Sequence, residues 1–216
     1  MYRFVGISGS PVKDSNTHLF LEEALKPLRE RDDTDIQLFD AGRLKISDCI
    51  HCNHCLIKQT PERLCSIQDD MESVYRAVID ADAVILATPV YFGRLSGHLA
   101  NVIDRLRAVH YGKAIPGGMK NKVGAGLAVA WYRHGGLETA LMTLALAFFT
   151  LDMIVAAPGS LGAAAVSSLG GDGTFDLKDK HQVLKDELGL SVARKTVERA
   201  FELVQMVSKA EKAATD

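Results

Sequence analysis

The chain has 216 residues, of which 47% are hydrophobic and 24% are charged, and its formal net charge at pH 7 is −2. A chain of this length and composition can bury a full core, which excludes the disordered class. Its Lys and Arg residues form no basic patch, so we expect neither nucleic acid nor a membrane as a partner.

Short β-rich runs alternate with helical patterns along the chain, which is typical of a parallel sheet with helices on both faces. The five predicted strands cover residues 2–7, 36–40, 83–88, 123–130 and 153–157. A last helix is predicted from about residue 180 to 208, after a glycine-rich loop at 158–179. We therefore predict one α/β domain over residues 1–216, with a flavodoxin-like, doubly wound parallel sheet in the order 2-1-3-4-5.

The first predicted strand leads into a loop rich in hydroxyl groups, GISGSPVKDSNT at residues 6–17. Ligands bind at the carboxyl ends of parallel strands, where a helix N-terminus offers N–H groups to an anion. The loop lacks both GxGxxG and GxxxxGK, so a phosphate monoester such as that of FMN suits it better than a pyrophosphate. The alternative is a polar turn capped by Ser15. The candidate phosphate-binding residues are Ser8, Ser10, Lys13, Ser15, Asn16 and Thr17.

The four cysteines all lie in a long connection after strand two, residues 41–68, which we call the cysteine segment. Because the N-terminus resembles neither a secretory signal nor a transit peptide, we expect a cytoplasmic protein. In that reducing compartment, clustered cysteines favour metal binding or redox chemistry over disulfides. The spacing CIHCNHC, then nine residues to the last cysteine, leaves a 4Fe-4S cluster, zinc and free thiols as alternatives. A zinc site could use His51 or His54 as its last ligand.

A second loop, PVYFG at residues 89–93, follows strand three, and a third, WYRHGGLE at 131–138, follows strand four. Together, GISGSPxxxSNT and PVYFGxLSGxLxxxIDR resemble the NADPH-dependent FMN reductase family, which has a flavodoxin-like fold. The resemblance implies FMN with its phosphate in the first loop and its isoalloxazine along the second. No catalytic residue is predicted, because FMN itself supplies the redox chemistry. The implied flavin-site residues are Pro89, Val90, Tyr91, Phe92, Gly93, Trp131, Gly135 and Gly136.

The predicted helix at 137–150 is apolar nearly all the way round. Its most apolar run, residues 140–149, is about half as long as a membrane-spanning helix. A surface helix normally has a polar face, so we expect this one to be covered by the sheet and by a partner subunit. This predicts a homodimer or homotetramer.

The cysteine pattern also resembles the iron-sulfur flavoproteins among relatives of the same family. In them, CxxCxxC precedes a fourth cysteine and then an acidic pair with methionine, as in CIHCNHCLIKQTPERLCSIQDDM here. The resemblance implies a 4Fe-4S cluster, whose ligands would be Cys49, Cys52, Cys55 and Cys65.

The function implied by this resemblance is electron transfer through the cluster and FMN. The donor would be a small molecule or a ferredoxin-like protein, and the acceptor a quinone, an oxygen species or a protein. Two alternatives stay open: a cluster-free NAD(P)H-dependent FMN or quinone reductase, and a flavin-binding or metal-binding redox sensor with little turnover.

Overall fold

A computed structural model describes residues 1–174, 176 and 178–215. The strands are β1 (Tyr2–Ser8), β2 (Thr34–Asp40), β3 (Ala83–Pro89), β4 (Val123–Ala130), β5 (Ile154–Val155) and β6 (Ala163–Val166). The helices are α1 (Asn16–Arg29), α2 (His54–Ile57), α3 (Met71–Asp80), α4 (Gly97–Arg105), α5 (Arg107–His110), α6 (Leu137–Thr150) and α7 (Glu187–Thr215). A 3-10 turn, Gln182–Lys185, precedes α7. In the part of the chain that the structure describes, no helix is long and apolar enough to cross a bilayer.

The strands form a parallel sheet in the order β2-β1-β3-β4-β5, which confirms the predicted topology. The extent of the fifth strand was predicted wrongly. Two short strands pair with β4 in place of one long strand. β5 pairs with Val123 and Gly124, and β6 pairs with residues 127–130. The chain passes close to β4 between these two strands, where a Cβ on Gly162 would lie 2.3 Å from the carbonyl oxygen of Gly126. The predicted loop at 158–179 therefore contains a strand.

Helices cover both faces of the sheet, because β1, β3 and β4 are almost entirely apolar. On one face, Phe4 and Ile85 pack with side chains of α1 and α7, among them Phe201. On the other face, Val84 and Leu86 pack with side chains of α3, α4 and α6. Because the strands are parallel, their carboxyl ends lie at one edge of the sheet. The three loops of the predicted cofactor site leave the sheet at this edge.

Helix α6 has one buried apolar side and one exposed apolar side. Phe148 packs so closely on β4 that a Cβ on Gly124 would lie 2.6 Å from its ring. On the opposite side, Met142, Leu146 and Phe149 are 51%, 58% and 62% exposed. The sheet thus covers one apolar side of α6, and the apolar side chains on the other side are exposed.

Arg105, at the end of α4, is a charged side chain that is only 2% exposed. Its guanidinium donates to both carboxylate oxygens of Asp69, at 3.0 and 3.1 Å. It also donates to the Tyr75 hydroxyl and to the Ser47 carbonyl, each at 3.0 Å. Asp69 accepts a further hydrogen bond from the Ser47 N–H at 2.9 Å. Arg105 therefore joins α4 and α3 to Ser47 of the cysteine segment and to Asp69, which directly follows that segment.

The charge state of this buried pair follows from its surroundings. Burial by itself would raise the pKa of the Asp69 carboxyl, but the hydrogen bonds from Arg105 and from the Ser47 N–H hold that pKa below its usual value. Burial likewise raises the pKa of the Tyr75 hydroxyl, which therefore stays protonated. The pair is consequently an ionised, fully hydrogen-bonded contact at neutral pH.

We predict that Asp69→Asn lowers the free energy of unfolding at pH 7 by about 3 kcal/mol, because it leaves the Arg105 charge buried and unpaired. Since the folded-state pKa of Asp69 is depressed, the stability it contributes is present above its usual value of 3.8 and is lost as the pH falls through the folded-state pKa. The difference between wild type and variant should therefore shrink in acid.

Urea unfolding at several pH values measures both effects. The control is Glu72→Gln, which breaks the exposed Glu72–Arg76 pair of α3 and should change stability by less than about 1 kcal/mol. A difference for Asp69→Asn no larger than that of the control would contradict the prediction.

Candidate functional site

An open cleft of about 370 Å³ lies at the carboxyl edge of the sheet, beside the start of α1. Its size is that of a small-molecule site. It brings together nine of the predicted cofactor residues: Ser10, Lys13, Ser15, Asn16, Thr17, Pro89, Val90, Tyr91 and Trp131. The cleft is completed by Val12, Asp14, Val129, Ser167 and Lys180, which the sequence analysis did not assign to the site. The first two loops and part of the third thus converge on one place.

The serine hydroxyl groups of the first loop differ in whether they line the cleft. Ser10 Oγ accepts from the Val12 N–H at 3.2 Å, and Ser15 Oγ caps α1 by accepting from the His18 N–H at 3.1 Å. Both oxygens keep a hydroxyl hydrogen that can be donated to a ligand in the cleft. Ser8, by contrast, is fully buried at the end of β1 and does not line the cleft. The Ser8 Oγ atom accepts from the Ser10 N–H at 3.5 Å and so supports the loop from inside the protein. Its contact with the ligand stays a prediction.

Asn16 connects the first loop to a distant part of the chain. Its Nδ2 donates to the Lys180 carbonyl at 2.8 Å, and its Oδ1 accepts from the Val183 N–H at 3.0 Å. One N–H of the amide is left for a ligand. This connection places Lys180 at the cleft, where it adds a second positive charge to that of Lys13. No local motif marks Lys180, since 164 residues separate it from Asn16.

The second loop turns tightly at residues 91–94. Tyr91 and Arg94 exchange backbone hydrogen bonds at 3.0 and 3.2 Å, and Phe92 and Gly93 both have positive φ, 50° and 75°. This is the geometry of a two-residue hairpin turn. Tyr91 lines the cleft, and partial burial raises the pKa of its hydroxyl. The Phe92 ring is fully exposed at the tip, and neither Phe92 nor Gly93 lines the cleft.

The third loop meets the second at a contact between glycines. A Cβ on Gly136, whose φ is 98°, would lie 2.5 Å from the Cα of Gly93. Gly136 therefore positions the third loop against the second. A Cβ on Gly135 would instead lie 2.8 Å from the Tyr132 carbonyl oxygen, within the third loop, and neither glycine lines the cleft. Trp131 does line it, and the Ser168 hydroxyl donates to the Trp131 carbonyl. The flavin-binding roles of Gly135 and Gly136 stay predictions, and the contact between Gly136 and Gly93 is backbone packing that the sequence motif does not reveal.

The residues at the cleft fit FMN. Lys13, Lys180 and the hydroxyl groups at the start of α1 suit its phosphate, and Tyr91 and Trp131 offer aromatic surface to its ring system. A side pocket of about 170 Å³ shares Asn16, Trp131, Ser167 and Lys180 with the cleft. Gln182, which is 5% exposed, lines this pocket, and its Oε1 has no hydrogen-bond partner among the described residues. Such an acceptor suits a ligand that carries hydroxyl groups.

All four cysteines are free thiols. Cys52 is exposed, with Sγ 2.9 Å from the hydroxyl oxygen of Ser66, the residue that follows Cys65. Burial raises the pKa of the Cys55 thiol, and Cys65 and Cys49 raise it further through their charges. These effects favour the neutral form of the Cys55 thiol.

The nine residues between Cys55 and Cys65 fold back on themselves. Thr60 and Arg63 pair across a tight turn that contains Pro61, with backbone hydrogen bonds of 3.3 and 3.1 Å. The buried side chain of Gln59 donates to the Leu64 carbonyl at 3.0 Å and to a backbone carbonyl of α5 at 2.7 Å. The extra length of the connection is therefore taken up in the turn, and Cys65 returns to the neighbourhood of Cys55.

The cysteine segment has the right donor atoms for a cluster, but the thiols do not converge on one point. Across residues 1–174, 176 and 178–215, no group of three or more His, Cys, Asp or Glu side chains is arranged to hold a metal ion. Four free thiols in one segment suit an iron-sulfur cluster in their chemistry. The Nε2 atom of His54 is buried and has no hydrogen-bond partner in the described chain, so a mixed cysteine and histidine site also stays open. The four-cysteine ligand set remains a prediction.

Comparison with known proteins gives consistent matches. The family model described as NADPH-dependent FMN reductase matches residues 2–167. An iron-sulfur flavoprotein of Methanocaldococcus jannaschii is 40% identical over 202 residues, 93% of this chain and 96% of that protein. An iron-sulfur flavoprotein of Archaeoglobus fulgidus is 37% identical over 202 residues, which are 93% of this chain and 96% of that protein.

Solved structures show a similar fold at low sequence identity. A structure of RosB with a bound riboflavin-phosphate intermediate has a TM-score of 0.73 and 15% identity, covering 100% of this chain and 86% of that one. FerB, a flavoenzyme NAD(P)H:(acceptor) oxidoreductase from Paracoccus denitrificans, has a TM-score of 0.61 and 19% identity, covering 95% and 98%. These likenesses support the flavodoxin-like fold.

We predict that Gly136→Ala weakens FMN binding by about tenfold, because the new Cβ would collide with the backbone of Gly93 and would require strain at a positive φ. Titration of the apoprotein with FMN, followed by quenching of flavin fluorescence, measures the affinity. The matched control is Gly97→Ala in the first turn of α4, where a Cβ meets nothing within 4 Å. Equal affinities for the two variants would contradict the importance of the contact between the loops.

Proposed function

Since this chain belongs to the NADPH-dependent FMN reductase family and is a flavin-dependent oxidoreductase, we propose that it transfers electrons through two centres. The first is FMN in the cleft at the start of α1. The second is a 4Fe-4S cluster held by Cys49, Cys52, Cys55 and Cys65. When bound, FMN exchanges one or two electrons and the cluster exchanges one.

The observation that carries this proposal is the position of α4 between the two sites. Ser96, at the start of this helix, donates from its hydroxyl to the Gly9 carbonyl of the first loop at 2.7 Å. Arg105, at its end, donates to the Ser47 carbonyl of the cysteine segment at 3.0 Å. A helix of this length spans about 14 Å. One rigid element thus determines how far the cysteine segment lies from the cleft.

The side chains at the cleft would hold FMN by its two ends. Lys13, Lys180, Ser10 and Ser15 would bind the phosphate, because they combine positive charge with hydroxyl donors at a helix N-terminus. Tyr91 and Trp131 would flank the ring system and limit the access of water to it. Phe92, fully exposed beside this site, would contact the acceptor or a neighbouring subunit rather than the buried part of FMN.

The relatives named iron-sulfur flavoproteins support the second centre. The turn at residues 60–63 supports it as well, because it returns Cys65 to the neighbourhood of Cys55. We propose a ferredoxin-like or small-molecule donor, and a quinone, an oxygen species or a protein as the acceptor. A cytoplasmic location would suit four thiols that are all free.

The exposed side of α6 supports a homodimer or homotetramer. Met142, Leu146 and Phe149 form an apolar patch on a helix whose other side already packs on the sheet. Clustered apolar side chains of this size are typical of protein interfaces. We propose that a second copy of the chain covers this patch.

We predict that anaerobically purified protein contains FMN, iron and acid-labile sulfide, and that Cys65→Ser loses most of the iron and sulfide while keeping FMN. The reason is that a serine hydroxyl is a poor ligand for a cluster that cysteine thiolates bind. Metal, sulfide and flavin analysis of one sample measures all three. The matched control is Ser66→Ala, which removes the neighbouring hydroxyl and should keep both centres.

The same samples distinguish the alternative functions. Flavin without iron or sulfide, together with rapid reduction by NAD(P)H, would replace the proposal with a cluster-free reductase. Reduced protein that neither quinone nor oxygen reoxidises would instead indicate a redox sensor.

We predict that Phe149→Glu shifts the protein to a smaller species in size-exclusion chromatography with light scattering. A carboxylate in the centre of an apolar interface is costly because it loses its hydration. Leu188→Glu is the control, since Leu188 is an exposed apolar residue on α7, away from the patch. A wild-type elution volume for Phe149→Glu would place the subunit contact elsewhere.

A further inference from the structure

Gln182, the first residue of the 3-10 turn before α7, is buried without a complete set of hydrogen bonds. The residue is 5% exposed. Its Nε2 donates to the Asp179 carbonyl at 3.5 Å, whereas its Oε1 has no hydrogen-bond partner among the described residues. Because buried polar atoms are nearly always paired, an unpaired amide oxygen in a pocket indicates a partner that comes from a ligand.

A second buried glutamine shows what a purely structural role requires. Gln59 is also 5% exposed, but its amide is fully hydrogen-bonded. The Nε2 donates to the Leu64 and Ala108 carbonyls at 3.0 and 2.7 Å, and the Oε1 accepts from the Ala114 N–H at 2.9 Å. These bonds offset the cost of burying the amide. Gln182 has no equivalent set within the described chain, so the fold does not explain its burial.

The orientation of the Gln182 amide is defined by its neighbours. Exchanging Nε2 and Oε1 would place an oxygen against the Asp179 carbonyl, where two acceptors repel each other. The next residue is fixed as well, since the Val183 N–H donates to Asn16 Oδ1 at 3.0 Å. The unpaired atom is therefore a hydrogen-bond acceptor on a stretch of chain that is tied to the start of α1.

The side pocket that Gln182 lines borders both ends of the proposed FMN site. It shares Asn16 and Lys180 with the phosphate end of the cleft, and Trp131 with the ring end. Other described residues that hold a buried unpaired atom line neither the cleft nor the side pocket; they are His18, Asp40, His54 and His110. A group bound in the side pocket thus belongs to the part of the ligand between phosphate and ring. In FMN this part is the ribityl chain, whose hydroxyl groups can donate hydrogen bonds.

We propose that Gln182 determines specificity for the flavin, with its Oε1 accepting a hydrogen bond from a hydroxyl group of the ribityl chain. This inference rests on the proposed function, because it requires FMN in the cleft. In the FMN-free protein the unpaired oxygen lowers stability, and the ligand hydroxyl removes that cost on binding. Gln182 would therefore favour flavins with a ribityl chain over flavin rings that lack one.

The variant Gln182→Met separates this role from a structural one, since methionine has a similar size and lacks the amide. In the FMN-free full-length protein, it should raise the melting temperature by about 2 to 4 °C, because a buried unpaired acceptor is removed. The matched control is Gln59→Met, which should lower the melting temperature because three backbone groups lose their partner. Thermal unfolding followed by circular dichroism measures both changes.

The variant Gln182→Met should also bind FMN and riboflavin about tenfold more weakly than wild type, since the ribityl hydroxyl loses its acceptor. Its affinity for lumiflavin, which has the same ring system without the ribityl chain, should stay within about twofold of wild type. Titration of the FMN-free protein with each flavin, followed by fluorescence quenching, measures the affinities. Gln59→Met should bind all these flavins as wild type does, because Gln59 lines neither the cleft nor the side pocket.

The results that would overturn the assignment are distinguishable. Wild-type protein that binds no FMN would refute the proposed function, and this inference with it. A Gln182→Met variant that is no more stable than wild type, or does not fold, would show that the amide oxygen is already paired within the protein. Unchanged FMN affinity would refute the contact with the ligand. An equal loss of affinity for lumiflavin would place Gln182 at the ring and not at the ribityl chain.

Discussion

The buried guanidinium of Arg105 is the constraint on which the rest of the structure depends. A charge that is 2% exposed is tolerable only if its donors are paired, and here a carboxylate, a hydroxyl and a backbone carbonyl accept from it. These acceptors belong to α3, to the cysteine segment and to Asp69, which directly follows that segment. A segment with little secondary structure is thereby held in one place, although it lies outside the sheet.

The same helix that carries Arg105 also shapes the cofactor cleft. Ser96 caps α4 and donates to the first loop, and a Cβ on Gly9 would lie 2.6 Å from Leu99 in its first turn. The second loop, which enters α4, is in turn held by the contact between Gly93 and Gly136. The cleft and the cysteine segment are therefore parts of one packed frame, which would keep two redox centres at a constant separation.

Much of the fold and of the site could be predicted from local patterns. Continuous apolar runs identified the central strands, and hydroxyl-rich and glycine-containing loops after them identified the cleft, because both signals are confined to a few neighbouring residues. The fifth strand was harder, since β5 and β6 are two and four residues long. The burial of the Ser8 side chain could not be predicted, because a hydroxyl residue at a strand end can face the ligand or the core.

The sequence by itself determined the parallel sheet, the three loops of the cleft and the clustering of the cysteines, because each depends on residues adjacent in the chain. Only the tertiary structure brought Lys180 to the cleft, Gln182 to the side pocket, and Arg105 and Arg107 to the cysteine segment. It also decided that Phe149 faces outward while Phe148 faces the sheet. The physical reason is that these contacts join residues far apart in sequence, and packing and buried hydrogen bonds select them only once the sheet has formed.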